Sequence, residues 1–99
     1  MLDRLMVLKQ RGAEVTMLSP SSSADQGSKI AQWLLGTMYQ TGNGVQRDYV
    51  QAHMWYNLSA ARGWEAAVIA RAALEREMTR AQIAQAQNLA RDWRPKPER

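Results

Sequence analysis

Apolar positions in this chain recur at helical spacing, and the first clear stripe is Ala31, Leu35 and Met38, with Leu34 and Tyr39 beside it. Recurrence every three to four residues puts side chains on one face of an α-helix. The pattern predicts a helix over residues 28–41. Gly42-Asn43-Gly44 ends it, because glycine and asparagine accept the left-handed backbone that closes helices. Asp48 opens the next helix: its carboxylate can cap free backbone amides, and Gln51 stands at the spacing of a capping box. Ala52, Trp55, Tyr56 and Ser59 then share a face with Tyr49, and Gly63 is the stop. A third, alanine-rich helix is predicted over 64–78, with Ala67, Ala70 and Leu74 as its stripe. Thr79 caps a fourth, with Gln82 completing the box. Its stripe is Ile83, Ala86, Leu89, Ala90 and Trp93, and Pro95 and Pro97 terminate it. Residues 1–11 are expected to form a short helix. The serine-rich stretch over 17–26 reads as a loose linker, and the last residues read as an exposed, mobile tail. No alternating strand pattern occurs, so the expected class is all-α.

The chain also repeats itself. Ser23-Ala24-x-x-Gly27-x-x-x-Ala31 returns 36 residues later as Ser59-Ala60-x-x-Gly63-x-x-x-Ala67. A period in the thirties is typical of helix-turn-helix solenoids, whose hairpins bury their apolar faces only by stacking on neighbours. Ala31, Leu35, Gly36 and Tyr39 fit the pattern A-x-x-x-L-G-x-x-Y, and Gly42, Gly44 and Val45 fit G-x-G-V. Asp48, Tyr49, Ala52, Trp55 and Tyr56 fit D-Y-x-x-A-x-x-W-Y, and Ala60, Ala61 and Gly63 fit the close. Over residues 31–63 the chain thus resembles a Sel-1-like repeat, a relative of the tetratricopeptide repeats. The resemblance implies an α/α superhelix with one full hairpin repeat over 28–63. It also implies a degenerate repeat or C-terminal cap over 64–94 and a tail over 95–99. Residues 1–27 would be an N-terminal segment, partly disordered or a truncated preceding repeat. Two departures stand out: residues 1–22 carry no D-Y-x-x-A-x-x-W-Y block, and Leu34 occupies a position that is often asparagine in the family. The residue types make physical sense on their own. Gly36 permits close helix approach, Trp55 and Tyr56 supply large buried area, and alanines at 52, 60 and 61 suit helices that nearly touch.

Composition narrows the chemistry. A chain of 99 residues, 45% hydrophobic and 22% charged, makes one globular domain at most. It has no cysteine and a single histidine, His53, which excludes thiol catalysis, disulfides and histidine-rich metal sites. No metal or cofactor is expected. No apolar run approaches the roughly 20 residues of a membrane span. Asp3, Arg4, Lys9 and Arg11 interrupt the start, so it does not read as a secretory signal. The default expectation is the cytoplasm, with the periplasm as the alternative should the chain continue upstream.

The resemblance implies a bacterial adaptor or scaffold whose stacked helices hold partner proteins, and no enzyme. Trp33, Thr37 and Gln40 lie opposite the core stripe of the first repeat helix, with Leu34 alongside, and these four are the candidate partner-binding residues. The competing reading is that Trp33 packs inside the fold. His53, beside Asn57, is expected to be a solvated histidine without a catalytic role, since no nucleophile and orienting acid accompany it. Gly42-x-Gly44 is a helix-ending turn and not a phosphate loop, because Arg47 sits where a third glycine would be. Asn57-Leu58-Ser59 fits a glycosylation tripeptide by chance, inside a helix. Thirteen basic and nine acidic residues leave a net charge of +4, and the runner-up reading is a weakly basic nucleic-acid-associated protein. The arginines at 62, 71, 76, 80, 91, 94 and 99 read as solvated helix surface. Self-association is expected through the N-terminal side of the repeat, where Ala31, Leu35, Tyr39, Val50, Met54 and Leu58 would be uncovered.

Overall fold

The computed structural model describes residues 20–96, and among them every regular element is a helix. The helices are α1 (Pro20–Asp25), α2 (Lys29–Thr41), α3 (Tyr49–Ala61), α4 (Glu65–Glu75) and α5 (Arg80–Asp92). The short helix expected over 1–11 and the far end of the tail lie outside the described residues.

Helix ends follow local chemistry. The Asp48 carboxylate accepts from the Gln51 amide at 3.1 Å, while the reciprocal bond from the Gln51 side chain does not form. At Thr79 both arms of the capping box are present, at 3.1 and 2.9 Å. Ser28 caps α2 by accepting from the Ala31 amide. Gly42 closes α2 in the left-handed conformation at φ 75°, where a Cβ would be strained. α4 stops at Glu75, and a turn over 76–78 leads to Thr79.

The stretch read as a loose linker is partly helical. Pro20 takes the first helical position, where its missing amide costs nothing, and Ala24 is fully buried. Packing overrides the linker composition here. Gln32, also fully buried, donates from Nε2 to the Ala24 carbonyl at 3.3 Å and ties α1 to α2.

α2 and α3 form the central hairpin, joined by the loop over 42–48. An added Cβ at Gly36 would lie 2.6 Å from Tyr56 Cε1 and 3.2 Å from the Ala52 carbonyl oxygen. Only glycine leaves room for the Tyr56 ring against the α2 backbone. The Ser59 hydroxyl donates to the Lys29 carbonyl at 2.6 Å and pins the far end of the pair. Of the alanines expected between helices, Ala52 is fully buried, Ala60 is partly covered and Ala61 is exposed.

Two apolar clusters flank the hairpin. On one side Ala52, Tyr56, Ala67 and Leu74 form a core with Trp33, Trp64 and Ala70 packed around it. On the other, Ala24, Ala31, Leu35, Met54 and Trp55 are closed by Leu58, Ala90 and Trp93. Trp55 and Trp93 meet edge to face, with ring centroids 6.1 Å apart. α5 therefore lies on α3 and not along α4, its neighbour in sequence. Beyond α5 the Lys96 amide donates to the Asp25 carbonyl at 2.7 Å, which brings the chain back to α1. This placement corrects the expectation of an uncovered N-terminal side: α1 and α5 bury Ala31, Leu35 and Met54. Leu89, read as part of the α5 stripe, is instead exposed.

The internal repeat is visible bond by bond. In the first turn Gln26 donates to Ser23, Gly27 to Ala24 and Ser28 to Ser23. In the second, Arg62 donates to Ser59, Gly63 to Ala60 and Trp64 to Ser59. Gly27 and Gly63 hold the same left-handed conformation, at φ 104° and 91°.

Candidate functional site

α2 presents the candidate partner-binding residues, and the structure divides them. Trp33 is half-buried against the second core cluster and meets Trp64 edge to face at 6.1 Å between centroids. The Thr37 hydroxyl donates to the Trp33 carbonyl at 3.1 Å and lies 3.2 Å from the Tyr56 hydroxyl. Tyr56 in turn donates to Gln40 Oε1 at 2.6 Å. Burial pushes the Tyr56 phenol above its ordinary pKa of 10.0, with the Thr37 bond pulling the other way, so the ring keeps its proton as a donor. Trp33, Thr37 and Gln40 thus make contacts inside the fold as well as bordering its surface. Leu34 is 40% exposed, and Ile30, one turn earlier, is 46% exposed. The reading of the sequence did not include Ile30. Its i, i+4 spacing to Leu34, off the buried stripe, is the signal that could have found it.

A chain of polar side chains links α3 to α4. The Arg71 guanidinium donates to Asn57 Oδ1 at 2.7 Å, which leaves the amide nitrogen of Asn57 to face His53 Nδ1 at 2.9 Å. An amide nitrogen can only donate, so Nδ1 accepts and the ring proton sits on Nε2. Nε2 then donates to Glu75 Oε2 at 2.7 Å. Arg71 and Glu75 are four residues apart on α4, as are His53 and Asn57 on α3, so the facing sides of the two helices carry one open circuit of three hydrogen bonds.

His53 is completely buried, and this corrects the expectation of a solvated side chain. Arg71 is half-buried and bonded to Asn57, whereas Arg62, Arg76, Arg80, Arg91 and Arg94 are exposed. Both nitrogens of His53 are occupied by Asn57 and Glu75, so neither is free to take a substrate proton, and no hydroxyl nucleophile bonds the ring. Asn57 spends its amide on the same circuit.

Two hollows among the described residues are open clefts. One of about 500 Å³ is lined by Gly27, Ser28, Lys29, Ala61 and Arg62, and one of about 360 Å³ by Arg47, Asp48, Tyr49 and Gln82. Among the described residues no group of three or more acidic, histidine or cysteine side chains could hold a metal ion. No described helix is long and apolar enough to cross a membrane.

The family model described as Sel1 repeat matches residues 29–64. No curated protein matches the chain in sequence. Sel1 repeats are generally protein-interaction modules, and the family is typically non-catalytic. The matched span begins at the first residue of α2 and ends just past the turn at Gly63, so it frames the central hairpin. Residues 29–64 thus match a Sel1 repeat, and the central hairpin is the chain's Sel1-like repeat.

Proposed function

We propose that this chain is a non-catalytic adaptor that holds a partner protein on the outer face of α2. The observation that carries the reading is the pair Ile30 and Leu34, two large apolar side chains one turn apart that remain exposed on the helix. Exposed apolar side chains grouped on a rigid element mark contact surfaces. The rigidity comes from beneath: Trp33 rests on Trp64, and Thr37 and Gln40 hold the Tyr56 hydroxyl. The partner surface is then Leu34 and Ile30 at the centre, with the edges of Trp33, Thr37 and Gln40 around them. Residues 20–27 support the hairpin as the end of a preceding repeat, and residues 64–94 support it as a cap.

The test separates the surface from its support. Leu34→Asp is expected to lower the affinity of an isolated protein partner by at least tenfold, measured by calorimetry, while the helical signal stays unchanged. Trp33→Ala is expected to lower stability as well as affinity, because it removes the edge contact with Trp64. An Ile30→Asp, Leu34→Asp double variant that binds like the unaltered chain would move the site elsewhere.

A further inference from the structure

α4 is packed on one side only. Ala67, Ala70, Arg71 and Leu74 face α3, while Glu65, Val68, Ile69, Ala72, Ala73 and Arg76 are all exposed. Ile69 is 66% exposed and Val68 is 41% exposed. In a regular hairpin the following helix would cover this face, but α5 lies on α3. At about 100° per residue, Glu65, Ile69, Ala72 and Arg76 fall on one line along α4, with Val68 and Ala73 on either side.

The order along that line is acidic, large, large, small, small, basic, which is complementary to its own reverse. Laid antiparallel on a second copy, Glu65 meets Arg76, Val68 meets Ala73, and Ile69 meets Ala72. Every pair occurs twice under the two-fold axis, as a closed, isologous contact requires. Large side chains facing small ones let two helices approach closely. The parallel arrangement would set Glu65 against Glu65 and Arg76 against Arg76, so charge selects the antiparallel one. Among the described residues neither Glu65 nor Arg76 is engaged in an ion pair.

We infer that the exposed face of α4 is a homodimer surface, occupied by the same face of a second copy in antiparallel orientation. It uses residues of α4 and its C-terminal cap, none of which belongs to the proposed α2 partner surface. Six side chains per copy are far fewer than the about 20–30 of a standard interface, so the association is weak and concentration-dependent.

Sedimentation of the full chain over a wide concentration range is the experiment, with helicity monitored for each variant. The unaltered chain is expected to move from monomer to dimer mass as concentration rises. Ile69→Glu is expected to weaken dimerisation at least tenfold without loss of helicity, since Ile69 is largely in solvent. Glu65→Arg and Arg76→Glu are each expected to weaken it about threefold or more by setting like charges together. Carried together they exchange the charges, and dimerisation returns. A monomer at every concentration would overturn the inference, as would an Ile69→Glu chain that dimerises normally. A double charge exchange no better than either single change would overturn the antiparallel pairing.

Discussion

The two flanks of α3 are held by different physics. Toward α4, Tyr56 and Ala52 pack on Ala67 and Leu74, and a chain of hydrogen bonds runs beside them from Arg71 through Asn57 and His53 to Glu75. Toward α5, Met54, Trp55 and Leu58 meet Ala90 and Trp93, with an edge-to-face tryptophan pair as the one directional contact. Hydrogen bonds have direction and apolar burial does not. A slip of one residue along α4 would break both bonds that cross to it, at Arg71 and at Glu75, whereas the flexible Met54 side chain can follow small movements of α5. The first flank therefore fixes register, and the second mainly excludes water from the hairpin.

The largest expected effect lies at Leu74, completely buried on the α4 flank. Leu74→Ala should cost about 3 kcal/mol in chemical denaturation, the sum of lost burial and the cavity left behind. Next comes the hydrogen-bonded chain. Asn57→Ala should cost about 2 kcal/mol because it strands the buried Nδ1 of His53 and the Arg71 guanidinium together. In a double-mutant cycle with Arg71→Ala the two losses should fall short of additivity by about 1 kcal/mol. Strict additivity would mean that Arg71 and Asn57 do not act as a unit. The smallest effect belongs to the α5 flank. Trp93→Ala should cost about 1 kcal/mol and speed amide exchange in α5 alone. Equal acceleration across α3 and α4 would erase the distinction between the flanks.

Local chemistry was legible in the sequence and long-range packing was not. Asp48, Thr79 and Gly42 act within a few residues of themselves, and the caps form where the spacing predicts them. The close approach at Gly36 and the burial of Trp55 and Tyr56 also follow from residue type. His53 did not read correctly because a helix wheel shows only that it shares a side with Asn57. The residues that make that side an interior one, Arg71 and Glu75, come from the next helix. α1 was hidden for the same reason: SPSSSAD has linker composition, and contact with α2 is what holds it helical. The seat of α5 on α3 is likewise set by packing, which no stripe within α5 specifies. Among the candidate partner-binding residues, spacing located the helix face but could not show that the Tyr56 hydroxyl sits between Thr37 and Gln40.

The paired turns at Gly27 and Gly63 have a consequence for how such a chain grows. Because both junctions are built from the same three backbone bonds, a cassette cut after each glycine carries two whole helices with matching ends. Tandem copies spliced at that seam would meet through a joint the molecule already contains. Lengthening by duplication then demands no new corner, only side chains suited to the added neighbour.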